Sequence, residues 1–82
     1  MKATINITLK NGVLDPQGKA IENALGQLGF GGVNGVRQGK LIEIDLDESD
    51  ADKAHANLTD MCEQLLANRV IENYDILIDK SE

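Results

Sequence analysis

Apolar and polar residues alternate along three segments of the chain with the period of two that is typical of β-strands. Residues 3–10 show it most clearly, because four apolar residues there alternate with Thr4, Asn6, Thr8 and Lys10. The same period returns in residues 41–47 and again in residues 70–78, where Tyr74, Ile76 and Ile78 fall on one face. Each segment therefore predicts a strand with one buried face.

Two other segments carry apolar residues at helical spacing. Asp15 and Pro16 offer an N-cap and a first helical residue, and Gly29 offers the end of that helix. Its predicted apolar stripe consists of Ala20, Ile21, Ala24, Leu25 and Leu28. A second helix is predicted to begin at Ser49 or Asp50. It would bury Ala51, Ala54, Leu58, Met61, Cys62, Leu65 and Leu66.

A short fourth strand is predicted at residues 33–37, joined to residues 41–47 through a Gln38-Gly39 turn in a hairpin. The element order is then β-α-β-β-α-β. It predicts an α+β, ferredoxin-like fold in which two helices cover one face of a four-stranded antiparallel sheet. With 82 residues and no linker, we expect a single domain over residues 1–82.

Composition narrows the classes of function. The formal net charge of −6 and the two aromatic residues argue against nucleic-acid binding, which needs basic surfaces and stacking platforms. No apolar run is long enough for a membrane span, and the first residues lack a signal-peptide pattern, so a cytoplasmic location is expected.

No residue of the chain suggests catalysis, a cofactor or a metal. The glycines at residues 29–35 follow a helix instead of opening one, unlike a phosphate-binding loop. His55 has no partner at metal-ligand spacing, and Cys62 lies on an apolar stripe, where a thiol behaves as a small hydrophobe. The acidic run from Asp45 to Asp52 lacks the pattern of a calcium loop. We expect no active site on this chain.

The remaining candidates are residues of a partner interface. Lys10, Arg37 and Lys40 are basic residues near predicted turns, with the last two at the tip of the predicted hairpin, and Leu77 is apolar on an otherwise polar sheet face. Strand 41–47 or the last strand, 70–78, is expected at or near a sheet edge, and unpaired edges invite partners. These features predict a homodimer or a dimer of dimers.

Three segments carry a resemblance to a known family. Residues 10–18 read Lys-Asn-Gly-Val-Leu-Asp-Pro-Gln-Gly, residues 36–40 read Val-Arg-Gln-Gly-Lys, and residues 62–68 read Cys-Glu-Gln-Leu-Leu-Ala-Asn, followed by Val-Ile-Glu and Tyr74. In order and spacing they resemble the PurS family, the small subunit of phosphoribosylformylglycinamidine (FGAM) synthase. The chain departs from the family pattern in the Gly31–Gly35 loop, at Gln38 and at Arg69.

The resemblance implies a non-catalytic subunit in de novo purine biosynthesis. It would bridge a glutaminase subunit (PurQ) and a large synthetase subunit (PurL), and would aid ammonia transfer between them. ATP, magnesium and glutamine would be used by the ligase complex, with no cofactor on this chain. Two alternatives share the predicted element order. One is an ACT-like regulatory domain that binds small molecules. The other is an RNA-binding sandwich, which would need aromatic residues on its exposed strand faces.

Overall fold

The three alternating segments form one antiparallel sheet. The computed structural model describes residues 1–79. Its strands are β1 (Lys2–Leu9), β2 (Gly39–Asp45) and β3 (Glu72–Asp79), in the order β2-β1-β3. Both β2 and β3 are therefore edges of this sheet, which confirms the prediction about edge strands.

One face of the sheet holds the core. Because side chains alternate along a strand, Ala3, Ile5 and Ile7 of β1 all point to the same face and are almost completely buried. The neighbouring strands add half-buried apolar residues to that face: Ile42 and Ile44 from β2, and Tyr74, Ile76 and Ile78 from β3. The other face carries most of the polar residues of the three strands, as the alternation predicts, together with the exposed Leu41 and Leu77.

The second predicted helix, α2 (Ala51–Met61), covers this core. Asp50 is its N-cap, since the Asp50 carboxylate accepts a hydrogen bond from the backbone N–H of Asp52 at 2.9 Å. Leu58 is fully buried, as predicted.

The last turn of this helix departs from the predicted stripe. A π-helical turn, Cys62–Leu66, continues α2 and is closed by a bond from the Ala67 N–H to the Cys62 carbonyl. The wider turn changes which side chains face the sheet, so Cys62 and Ala67 are buried while Leu65 is 82% exposed. The prediction that Leu65 belongs to the buried stripe was wrong.

The first predicted helix forms but does not lie on the sheet. Helix α1 (Pro16–Gln27) begins after the Asp15 cap and is followed by Gly29 at φ +99°, a conformation that glycine adopts without strain. Within residues 1–79, however, α1 makes no extensive contact with a strand or with α2. Two helices on one face was therefore a wrong prediction. The apolar stripe of α1 does not by itself show whether the surface that packs against it belongs to this chain.

The fourth strand and its hairpin are also absent from the described residues. Residues 33–37 form an irregular connection that pairs with no strand, and β2 begins only at Gly39. Two glycines flank Val33 and Asn34, and the side chain of Arg37 and the backbone of Gln38 bond to other parts of the chain instead of to a strand. The ACT-like and RNA-binding alternatives lose the four-stranded plan on which they depended.

The result is an elongated molecule. Its radius of gyration is 16.1 Å and it extends 48 × 29 × 14 Å, whereas a compact chain of this length would have a radius of gyration of about 12 Å. We call residues 16–36, which comprise α1 and the segment that returns to the sheet, the arm. In residues 1–79 there is no helix with the length and apolar character needed to cross a bilayer.

Candidate partner-binding end of the sheet

The three segments singled out in the sequence meet at one end of the sheet. Strand β1 ends there at Leu9, which pairs with Glu72 at the start of β3, while Thr8 pairs with Gly39 at the start of β2. The cap of α1 and the end of the π-helical turn reach the same place through the contacts described below. We call this region, built around Asp15, Arg37, Lys40, Glu63, Glu72 and Tyr74, the motif end.

Asp15 joins both ends of the arm to each other. One carboxylate oxygen accepts a hydrogen bond from the Gly18 N–H at 2.9 Å, which caps α1, and the other accepts one from the Gln38 N–H at 2.7 Å. The N–H groups of Gln38 and Gly18, and then the charge of Arg37, hold the pKa of Asp15 below its ordinary value, against the opposing effect of burial. A helix cap thus also fixes the chain as it enters β2.

Arg37 fastens the same junction to the end of β1. Its guanidinium donates hydrogen bonds to the carbonyl oxygens of Leu9 at 3.0 Å and Lys10 at 3.1 Å, and its Nε lies 3.7 Å from the Asp15 carboxylate. The interpretation that placed Arg37 and Lys40 at a protruding hairpin tip was wrong, because no hairpin forms and the Arg37 side chain bonds to the end of β1 and to Asp15. Reversing its charge would therefore disturb the fold as well as the surface.

Glu72, at the start of β3, joins segments on the other side of β1 in the way that Asp15 and Arg37 do on theirs. One oxygen accepts a hydrogen bond from the Asn68 N–H at 2.7 Å, and the other lies 3.3 Å from the Lys40 ammonium across the sheet. The Asn68 N–H, and then the hydrogen bond and charge of Lys40, lower the pKa of Glu72 despite its partial burial. The start of β3 is thereby tied to the start of β2.

Glu63 connects the π-helical turn to this network. It accepts a hydrogen bond from the Tyr74 hydroxyl at 2.6 Å and forms an ion pair with Arg69 at 2.7 Å. The bond to Glu63 raises the pKa of Tyr74, because a hydroxyl that donates to a carboxylate resists losing its proton. Arg69 is one of the departures from the family pattern, and here it has a partner of its own.

Two glycines permit the close approach of these segments. A Cβ at Gly18 would lie 2.5 Å from both the Asp15 carboxylate and the Val36 carbonyl oxygen, and a Cβ at Gly39 would collide with the carbonyl oxygen of Ile7. By contrast, a Cβ at Gly26 in the same helix would meet nothing within 4 Å. The glycines at the motif end are required by packing, and Gly26 is not.

The sequence and fold of this chain match known proteins over nearly the whole length. The family model described as "PurS: Phosphoribosylformylglycinamidine (FGAM) synthase" matches residues 2–80. The chain belongs to the PurS family. A PurS subunit of Methanocaldococcus jannaschii is 43% identical, with 99% of this chain and 98% of the relative covered. One from Synechocystis is 53% identical, covering 85% and 70% respectively.

Solved structures agree with this family. The crystal structure of Methanocaldococcus jannaschii PurS superposes with a TM-score of 0.89 at 44% identity, covering 99% of this chain and 98% of that one. A chain in the structure of PurLQS from Thermotoga maritima superposes with a TM-score of 0.85 at 32% identity and covers 93% of each chain. The resemblance to PurS is thus confirmed.

Three of the four predicted interface residues of this PurS-family chain lie at the motif end. The Lys10 N–H donates to the Ile71 carbonyl at 2.8 Å, and its half-buried side chain lines a shallow cleft with Arg69 and Tyr74. Leu77 lies on the outer sheet face near the opposite end, 54% exposed, so the structure does not join it to the others. An interface role for these four residues stays a prediction.

Sequence reasoning missed the acidic residues of the motif end. Asp15 was recognised only as a helix cap, and Glu63 and Glu72 were noticed only as letters of a motif. One signal was available: each lies in a segment that carries the resemblance, yet none belongs to a predicted apolar stripe. A charged residue that lies in a family motif but outside an apolar stripe is a candidate for bonding one segment of the chain to another.

The motif end is a network of hydrogen bonds and ion pairs that joins the ends of the three strands to the start of α1 and to the π-helical turn. Its carboxylates are occupied by backbone N–H groups and cations, and its clefts are open to solvent. The single thiol, Cys62, is fully buried, and burial followed by the nearby Glu63 charge raises the pKa of that thiol. Within residues 1–79, no group of three or more metal-ligating side chains is gathered.

Proposed function

We propose that this chain is the non-catalytic PurS subunit of an FGAM synthase, and that it bridges the glutaminase subunit (PurQ) and the large synthetase subunit (PurL). The observation that carries this proposal is the match to a chain of the Thermotoga maritima PurLQS structure over 93% of both chains. Because the similarity in sequence and fold extends over nearly the whole of both chains, we expect this chain to occupy the equivalent position in a complex with PurL and PurQ.

The motif end is the surface we assign to a partner subunit. It gathers three family segments into a network that holds loop ends at fixed positions, and fixed surfaces lose less conformational entropy on binding. Lys10, Arg37, Lys40 and Arg69 supply its positive charge on a chain of net charge −6. An acidic surface on PurL or PurQ would complement them, which mainly steers association and sets orientation.

The proposal assigns the chemistry to the other subunits. PurQ would release ammonia from glutamine, PurL would use ATP and magnesium, and this chain would hold the two so that ammonia passes between them. We further propose that the chain acts in the cytoplasm and associates with itself, as a dimer or a dimer of dimers.

The test is reconstitution with PurL and PurQ from the same organism. The rate of FGAM formation is measured with glutamine and, separately, with ammonium chloride as the nitrogen source. Adding this chain should raise the glutamine-dependent rate strongly and the ammonia-dependent rate little, because free ammonia does not need the bridge. The isolated chain should hydrolyse neither glutamine nor ATP.

Two outcomes would contradict the bridging role. One is equal stimulation of both rates, which would indicate a direct effect on the synthetase subunit. The other is sedimentation of PurL and PurQ as a stable, fully active complex without this chain. A variant with Asp75→Asn on the outer sheet face, away from the motif end, serves as the control for general effects of substitution.

A further inference from the structure

One cation of the motif end has no carboxylate partner. The other three basic residues there form the ion pairs Arg37–Asp15, Lys40–Glu72 and Arg69–Glu63. Within residues 1–79, the Lys10 ammonium forms neither an ion pair nor a hydrogen bond. Lys53 on α2 is also unpaired, but it is exposed, whereas Lys10 is half-buried. Lysine seldom loses contact with water without gaining a partner, so Lys10 is the unusual one.

The carboxylates nearest to Lys10 are already occupied. Lys10 lines an open cleft of about 320 Å³ with Glu63, Arg69, Glu72, Asn73 and Tyr74. The two oxygens of Glu63 face the Tyr74 hydroxyl and the Arg69 guanidinium. Those of Glu72 face the Asn68 N–H and the Lys40 ammonium. Within the part of the chain that the structure describes, the cleft therefore offers Lys10 no free acceptor.

The backbone of Lys10 is nevertheless held firmly. Its N–H donates to the Ile71 carbonyl at 2.8 Å, and its carbonyl accepts from the Val13 N–H at 3.2 Å and from the Arg37 guanidinium at 3.1 Å. Three segments of the chain thus fix the position of this residue while its side chain bonds to none of them. A group held in place before binding loses less conformational entropy when it binds.

We infer that Lys10 receives an aspartate or glutamate side chain of a partner subunit, which enters the cleft between Lys10 and Arg69. The inference rests on the proposed function and deepens it, because it names one contact and its chemistry within a generally positive surface. An ammonium has three donor hydrogens, and Arg69, engaged with Glu63 through Nε, has terminal N–H groups without an acceptor in residues 1–79. Together the two cations can hold both oxygens of one carboxylate.

The distribution of charge favours an acidic side chain as the occupant. With Lys10 and Arg69 included, the motif end has four basic residues and three acidic ones, although the whole chain has a net charge of −6. The rest of the molecule therefore repels an acidic loop, and only this end attracts one. Such a contrast mainly steers a partner and fixes its orientation.

The first experiment titrates the chain into a mixture of PurL and PurQ and follows glutamine-dependent FGAM formation. Lys10→Met removes the charge and keeps a long apolar side chain, and Lys53→Met makes the same change on the exposed surface of α2 as the matched control. The concentration of Lys10→Met that gives half-maximal stimulation should be at least about tenfold higher than for the wild type, with the same maximal rate. Lys53→Met should match the wild type, and Lys10→Arg, which keeps the charge, should recover most of the loss.

The second experiment needs no substitution and therefore remains informative if Lys10→Met fails to fold. The wild-type chain is acetylated with an N-hydroxysuccinimide ester, alone and in the complex, and the rate at Lys10 is measured by peptide mass spectrometry. Lys10 should be acetylated much more slowly in the complex. Inorganic phosphate added to the free chain should give no such protection, because the cleft is assigned to a protein carboxylate.

The results separate this inference from the proposed function. Equal half-maximal concentrations for Lys10→Met and Lys53→Met would overturn the inference, as would equal acetylation of Lys10 in the free chain and in the complex. Protection of Lys10 by phosphate but not by the partner subunits would show a small-anion site and would also overturn it. A wild-type chain that fails to raise glutamine-dependent FGAM formation would instead refute the bridging role.

Discussion

Adding one methyl group at either of two glycines in α1 should have opposite effects on stability. Glycine inside a helix normally costs about 0.5–1 kcal/mol relative to alanine, so Gly26→Ala should stabilise the protein by about that amount. Gly18→Ala offers the same gain in helix propensity. Its Cβ would, however, lie 2.5 Å from the Val36 carbonyl oxygen and from the Asp15 carboxylate. Backbone at the root of the arm would have to move to accommodate it.

The difference between the two variants isolates the packing term. Because both replace glycine by alanine in the same helix, the gain in propensity largely cancels, and the remaining difference is the cost of overpacking, about 1–3 kcal/mol. For a domain of this size that corresponds to a gap in Tm on the order of 5–20 °C. Gly18→Ala should be the less stable variant, with weaker hydrogen-exchange protection of the Gln38 N–H that bonds to Asp15.

The assay is urea unfolding followed by circular dichroism, with both variants at one protein concentration because association also adds stability. Equal m-values would show that the same surface is exposed in each case. If Gly18→Ala proved as stable as Gly26→Ala and kept the protection of the Gln38 amide, the close approach at the root of the arm would not be a constraint.

Three further predictions follow from ionisable groups and from the core. Because the pKa of Asp15 is lowered, its contribution to stability is present above the ordinary value of 3.8 and is lost as pH falls through the lower folded value. Asp15→Asn should therefore reduce the urea midpoint at pH 7 far more than at pH 2.5, whereas Asp75→Asn should change neither much. Tyr74 is the only tyrosine, so the pH titration of tyrosine absorbance reports on it alone. The midpoint should lie above 10.0 in the wild type and closer to 10.0 in Glu63→Gln. An unchanged midpoint would argue against the hydrogen bond between Tyr74 and Glu63. Cys62→Ala should cost about 1 kcal/mol or more of stability from lost packing, without loss of glutamine-dependent activity in the complex, and native Cys62 should react with a thiol reagent only upon unfolding.

The sequence alone predicted the strands and the helix starts, because each depends on residues that are close together in the chain. Alternation predicted β1, β2 and β3 and their buried faces, since a strand with one covered face must alternate. The pair Asp15-Pro16 predicted the start of α1, and the start of α2 was predicted at Ser49 or Asp50, because capping depends on a few neighbouring residues. The structure selects Asp50 as the cap of α2. The family was also recognisable from sequence, since three ordered motifs are more specific than any single pattern.

Only the tertiary structure decided where these elements lie and which segments the charged residues join. An apolar stripe on α1 indicates that one side of the helix is suited to packing, but it does not say which surface packs against it. The helix was expected to lie on the sheet, and in the structure it lies beside the sheet as part of the arm. The fourth strand failed for a related reason: Arg37 and Gln38 bond to Asp15 and the end of β1, partners more than twenty residues away along the chain. The residue pattern over a short segment determines whether a helix or strand forms. Its position in the fold depends on which distant residues its side chains and backbone bond to.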